Sequence, residues 1–360
     1  MRIDLPLYVR RALSALEGAG FAAFVAGGCV RDAALGIEPR DWDICASAAP
    51  EETAAVFAGH KILETGARYG TLTVTIDGEK AEITTFRADG GYSDGRRPDS
   101  VEFVRDIETD LSRRDFTMNA MAYNRELVDP FGGMRDIGAK LIRCVGDPDA
   151  RFREDALRIM RAARFASETG FSMEEKTRDA LFRRAPLVKK VSAERIAAEL
   201  NRLLLGKNAD AALTEYREVL IQAAPLFPAE ELPPLSGAPK DLTARLALLL
   251  GGLGEGGARE FLRALKYPRS VIREVSFRVS RGDVLGKLPT IGELAVRGGD
   301  MAEAGLSGRE IGEAKRALLA LVAEGKLPNE RGALLRRARE LAASKKLLTR
   351  RSGRDIIIEQ

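Results

Sequence analysis

The stretch Phe21-Ala-Ala-Phe-Val-Ala-Gly-Gly-Cys-Val-Arg31-Asp32, followed by Asp41-Trp42-Asp43, decides the reading of this 360-residue chain. Phe21 to Ala26 is an apolar run of strand length, and Gly27-Gly28 at its end lets backbone N–H groups approach a phosphate where a Cβ would intrude. Arg31 adds a charged fork beside them. On a strand, Asp41 and Asp43 share one face and Trp42 takes the other, so the two carboxylates can share divalent ions about 4 Å apart. Oxygen ligands of this kind suit Mg²⁺. Singly, each feature has a plainer reading, as a turn or a solvated strand end. In this order, they suit nucleoside triphosphate chemistry.

Composition narrows the class. A chain of this length with 45% hydrophobic residues has room for two or three cores. No apolar run approaches the roughly 20 residues of a membrane span, and the first residues do not read as a signal peptide, so a cytoplasmic protein without membrane partners is expected. Cys29, Cys45 and Cys144 are too scattered for a disulfide framework or a zinc site and read as small core residues. The one histidine, His60, has no nucleophile or carboxylate motif around it. A His-based triad or a His-ligated metal is therefore excluded as the basis of catalysis. Net charge is only +4, yet residues 331–354 carry nine basic side chains against one acidic, Glu340. So concentrated a charge suits a polyanion through counterion release; the plainer alternative is a solvated helix face.

Periodicity predicts an α+β chain, a small mixed-sheet head followed by helical neck, body and tail. The predicted divisions are 1–140, 141–205, 206–290 and 291–360. Pro6–Gly18 reads as a helix, and strands are expected at 21–26, 41–46, 71–76, 81–86 and about 126–129. Asp77-Gly78 joins Thr71–Ile76 to the following strand as a hairpin. Glu82 in that strand can sit beside Asp41 and Asp43, to take a proton from an attacking hydroxyl or to complete a metal site. Residues 89–98, rich in Gly and charge, read as a mobile loop, either a lid or a plain connection. Further on, five prolines within 225–239 break the pattern. Helices then follow at 241–250 and 258–266, a glycine-rich joint lies between them at 251–257, and tail helices run from about 308 to 350.

The strings GGCVRD and DWDI resemble the signature of the DNA polymerase beta superfamily, in its class II tRNA nucleotidyltransferase and bacterial poly(A) polymerase branch. Three further blocks agree in order: Arg113-Arg-Asp-Phe-Thr-Met-Asn-Ala120, Asp129-Pro-Phe-Gly-Gly133, and Glu154-Asp-Ala-Leu-Arg158 continuing through Arg161 to Arg164-Phe165. The resemblance is strong to about residue 205. It implies metal-dependent addition of CCA to the tRNA 3′ acceptor end from CTP and ATP. Asp41 and Asp43 would hold two Mg²⁺ ions, with Glu82 completing the catalytic set, and Gly27, Gly28, Arg31 and Arg114 would fix the phosphates. By the same resemblance, Asp115 and Asn119 contact the ribose, and Asp155 with Arg158 reads the base, supported by Arg161 and Arg164. On a helix from Glu154 to Arg164, an acceptor and a planar donor three residues apart suit the amine and adjacent acceptor of C or A; plain Glu154–Arg158 salt bridging is the alternative. The competing functions are A-only addition, CC-only addition, poly(A) synthesis and an inactive RNA-binding homologue. The loop at 89–98 speaks against CC-only addition, and the two metal-binding aspartates speak against inactivity. A dinucleotide-binding dehydrogenase fails for want of G-x-G-x-x-G.

Overall fold

The computed structural model describes residues 1–91, 100–224, 226–228, 232–286, 289–323 and 326–352, without the side chains of 344–352. The chain forms two units: Met1–Gly237 with Arg263–Tyr267, and Ala238–Leu262 with Pro268 onwards.

The first unit begins α1 (Leu7–Gly18), β1 (Ala23–Ala26), α2 (Gly28–Ala34), β2 (Asp43–Ala46), α3 (Pro50–Val56), β3 (Lys61–Gly66), β4 (Thr71–Ile76) and β5 (Glu79–Thr85). It continues β6 (Arg87–Asp89), β7 (Val101–Phe103), α4 (Ile107–Ser112), β8 (Ala122–Asn124), β9 (Glu126–Val128), α5 (Gly133–Gly138) and β10 (Leu141–Ile142). Seven strands make one sheet in the order β3-β4-β5-β2-β1-β8-β9. The pair β2–β5 runs parallel, and the other neighbours run antiparallel. Val9, Ala12, Leu13 and Leu16 recur at helical spacing, so α1 buries one stripe against β1, β2, β4 and β5. A second core joins Ala26, Cys45, Phe86, Leu111, Ala120, Ala122 and Val145. The β4–β5 hairpin turns at Asp77 (φ 54°) and Gly78 (φ 86°), the pair of positive φ values that a type I′ turn requires.

Several expected boundaries shift. β1 starts at Ala23 and β2 at Asp43, so Asp41 precedes the strand and alternation does not fix its direction. Within the seven-stranded sheet, β3 and β8 lie outside the expected strands. β3 is an edge strand, largely exposed and without alternation, and β8 lies in Asn-Ala-Met-Ala-Tyr-Asn, whose Ala and Met favour helix. Residues 92–98 of the expected loop lie outside the described residues.

The helical part of this unit comprises α6 (Pro148–Glu154), α7 (Leu157–Thr169), β11 (Ser172–Met173), α8 (Glu175–Arg184), α9 (Ala193–Leu204), α10 (Ala209–Glu215) and α11 (Arg217–Ala223). The single helix expected from Glu154 to Arg164 is instead broken. Asp155 (φ −137°, ψ 104°) leaves the helical region, and its Oδ1 accepts the Leu157 N–H at 3.0 Å, capping α7.

In the second unit, α12 (Leu242–Leu250) is capped by Asp241, which accepts from Ala244 N at 2.8 Å. Next come α13 (Gly254–Ala264), whose last residues belong to the first unit, and α14 (Arg269–Arg281). The expected glycine joint is shorter than predicted: Gly254, Gly256 and Gly257 lie within α13. α15 (Gly298–Glu303), α16 (Arg309–Ala323) and α17 (Arg331–Ser352) share a core of Leu294, Val296, Met301, Leu306, Leu318 and Leu334. Among the described residues, no helix is long and apolar enough to cross a membrane.

Candidate active site

The end of β1 and the start of α2 set the site. Gly27 has φ 85° and ψ −126°, which an L side chain rarely adopts, and a Cβ there would overlap Arg114 Nη1. Its own N–H is spent on Met121 O at 3.0 Å. The N–H groups of the first turn of α2 have no intrahelical acceptors, so this turn faces the site with donors.

Asp43 sits at the exposed start of β2, and its Cα pairs in parallel register with that of Glu82 on β5, so both side chains share one face. Desolvation by the surrounding protein raises the Asp43 carboxyl above its usual value, although its surface is open; the Arg114 charge opposes the shift and the Asp41 charge adds to it. Asp41 thus lies within electrostatic reach of Asp43. Among the described residues no group of three His, Cys, Asp or Glu side chains is arranged to hold a metal ion.

A carboxylate that sequence reasoning missed organises the arginines. Asp110 is fully buried; it accepts from Arg113 Nη2 at 2.7 Å and pairs with Arg114 Nη2 at 3.3 Å. Burial pushes its carboxyl up, but the two guanidinium groups outweigh this and hold it below the usual carboxylate range. Asp110-x-x-Arg113-Arg114, at i,i+3 and i,i+4 on α4 and its end, was a legible signal. The Arg114 Nε is buried and has no hydrogen-bond partner.

Arg31 donates to Asn119 Oδ1 at 2.6 Å, Asn119 Nδ2 donates to Asp115 Oδ1 at 2.9 Å, and Arg161 Nε donates to Asp115 Oδ2 at 2.7 Å. Burial alone would raise the Asp115 carboxyl; Arg161 and Asn119 reverse the effect and bring it to about 2. The residues expected at the ribose therefore form a relay from α2 to α7. Phe165 supports it, with the Arg31, Arg161 and Arg164 guanidinium groups at 5.0, 5.4 and 3.7 Å from its ring centroid.

Arg158 is buried. It donates to Glu154 Oε2 at 2.7 Å, to Arg151 O at 3.2 Å and to Arg113 O at 2.8 Å. The Glu154 salt bridge foreseen as the plainer reading is thus present. Asp155 Oδ2 pairs with Arg195 of α9 at 2.8 Å. Arg164 is 1% exposed and committed to Glu199 at 2.5 Å and Glu168 at 2.6 Å, so it holds α7 to α9. A cavity of about 340 Å³ lies beside Arg113, bounded by Ala88–Gly91, Thr109 and Ser112 and by Arg151, Arg153 and Glu154 of α6. His60 is exposed, and all three cysteines are buried and free.

Residues 23–143 match the Poly A polymerase head domain, and residues 170–229 match the probable RNA and SrmB binding site of polymerase A. A CCA-adding enzyme of Geobacillus thermodenitrificans is 43% identical over 293 residues, 77% of this chain and 69% of that one. The CCA-adding enzyme of Limosilactobacillus fermentum is 37% identical, over 92% of this chain and 96% of its own. The chain belongs to the CCA-adding enzyme family. That membership makes it a nucleotidyltransferase. A crystal structure of the Bacillus stearothermophilus CCA-adding enzyme in complex with CTP superposes over 96% of this chain and 99% of that one, with 32% identity and a TM-score of 0.66. Alignments with the Geobacillus stearothermophilus and Lactobacillus delbrueckii members cover 66% and 59% of their lengths.

Proposed function

We propose that this chain adds CCA to the 3′ end of tRNA, using CTP and ATP and releasing pyrophosphate. One observation carries the reading: Asp43 stands at an open strand end, opposite Glu82 and within reach of Asp41, with the Arg114 guanidinium packed on Gly27 beside it. The donor set fits divalent cations. Asp41 and Asp43 are hard oxygen ligands whose like charges oppose each other, and phosphate and water oxygens can supply the remaining coordination. Asp41 and Asp43 would hold such ions, which would lower the pKa of the RNA 3′ hydroxyl and neutralise charge on the triphosphate. Glu82 shares the Asp43 face and can take the proton of the hydroxyl.

Arg114 and the first turn of α2 fix the phosphate chain. Asp110, by holding Arg114 from within the core, keeps that charge in place, and the unpartnered Nε of Arg114 leaves a donor for the substrate. Arg31 with Asn119 and Asp115 forms the ribose wall, ordered by Arg161. Asp155 accepts from the exocyclic amine of C or A, and Arg158 donates to the neighbouring base nitrogen, so guanine and uracil place a carbonyl where an amine is required. Arg158 exchanges its present partner Glu154 for the base, whereas Asp155 keeps Arg195 and presents Oδ2 to the amine. Arg161 supports the pair through Asp115, and Arg164 does so through Glu199. The exposed arginines of α17 suit the tRNA backbone, and a cytoplasmic setting accords with these substrates.

The test uses three tRNA transcripts, ending before CCA, after C and after CC, incubated with CTP and ATP singly and together. Completion of all three to CCA is expected. Extension of the third alone would assign A-only addition.

A further inference from the structure

We infer that Arg195, in the first turn of α9, is a positioning residue for base selection; the inference rests on the assignment of Asp155 as the acceptor that reads the base. The ion pair spans 40 residues of sequence, with Arg195 Nη2 2.8 Å from Asp155 Oδ2 and both side chains largely buried. The other carboxylate oxygen, Oδ1, is fixed by the Leu157 N–H at 3.0 Å. The plane of the carboxylate is therefore held from two sides, by the cap of α7 and by the neck helix. A single backbone bond would leave it free to turn about its side-chain torsion.

Arg195 also keeps a donor in reserve. Its Nη1 is buried and has no hydrogen-bond partner, whereas Nη2 beside it is satisfied. A buried N–H without an acceptor is costly unless something else fills it at another stage. The chemical class that fits next to a carboxylate acceptor is a nucleobase edge carrying an amine and an adjacent acceptor, as cytosine and adenine do. When the amine approaches Oδ2, the guanidinium can keep its grip on the carboxylate and offer Nη1 to the incoming base or to a water on it. Arg195 thereby sets where the acceptor points without replacing it. Sequence reading did not find this residue, because it lies outside the recognised blocks and only the packing of α9 brings it to the break between α6 and α7.

The experiment compares Arg195→Met, Arg195→Lys, Asp155→Ala and the double variant Asp155→Ala/Arg195→Met. It measures rates and KM for CTP, ATP, UTP and GTP on one tRNA, with melting temperature alongside. Arg195→Met should raise KM for CTP and ATP by about tenfold, the scale of one base-reading hydrogen bond, and narrow the gap to UTP and GTP. Arg195→Lys should recover part of that selectivity. In the Asp155→Ala background, Arg195→Met should change nucleotide ratios no further, since the two act as one unit. If Asp155→Ala changes the ratios and Arg195→Met leaves them at native values, the ion pair only ties α9 to α7 and the inference falls alone. If Asp155→Ala itself preserves the native ratios, the base-reading assignment falls and takes Arg195 with it.

Discussion

Replacing Gly27 with alanine should impair both folding and nucleotide use. At φ 85° and ψ −126° an alanine sits in a region open almost only to glycine, at a cost of about 1–3 kcal/mol. The new Cβ also overlaps Arg114 Nη1, so the guanidinium must swing away. That movement strains the 3.3 Å pair between Arg114 and the fully buried Asp110, whose charge then depends on Arg113 and the Arg87 backbone N–H. A weakened charge-assisted hydrogen bond adds about 1 kcal/mol, for a total of roughly 2–4 kcal/mol. Gly28→Ala is the internal control, because a Cβ there meets only Arg31 Nη2 at the ordinary distance of 3.7 Å. Urea unfolding supplies the stability change, and initial rates at varied CTP and ATP supply KM. Gly27→Ala should unfold at clearly lower urea with KM raised for both nucleotides alike, while Gly28→Ala stays within about 1 kcal/mol of native. Native stability and KM in Gly27→Ala would refute the assignment of this turn to Arg114 and the phosphates.

Two further outcomes are expected. Folding depresses the Asp115 carboxyl from 3.8 to about 2, so its contribution, about 2 kcal/mol, is complete above pH 3.8 and disappears as pH falls through about 2; urea unfolding between pH 5 and pH 3 should therefore lose less stability with acid in Asp115→Asn than in the native chain, and equal slopes would contradict the Arg161 pairing. Arg336, Arg337 and Arg339 are exposed on α17, and changing all three to glutamine should weaken binding of every tRNA alike and flatten its salt dependence by about one unit of slope for each phosphate no longer neutralised, whereas unchanged affinity and slope would leave α17 a solvated face.

Much of the head was legible because its elements obey local rules. The stripe of α1, the Asp77-Gly78 turn and the alternation of β4 each follow from a period or a φ requirement that neighbouring residues state. β3 and β8 were not legible, since an exposed edge strand needs no alternation and a short strand buried on both faces carries none. The site residues Asp43, Gly27 and Arg114 meet as their order in the chain suggested. The break at Asp155 was not foreseen, because residues 148–169 keep helical composition throughout and the interruption is made by one side chain capping the next helix. Asp110 and Arg195 were missed for different reasons. Asp110 announces itself by spacing to Arg113 and Arg114, while Arg195 acquires meaning only when α9 packs on α7.

On the proposed mechanism, Asp41 and Asp43 carry the chemistry while other parts of the chain carry the RNA. The most direct measurement is the single-turnover rate of CMP transfer by Asp43→Ala, with Mg²⁺ present and tRNA at saturation, beside the tRNA affinity of the same variant. Asp43→Ala should lower it about a thousandfold or more, several kcal/mol of lost charge stabilisation, with tRNA binding close to native. Transfer within about tenfold of native, at unchanged affinity, would contradict that mechanism.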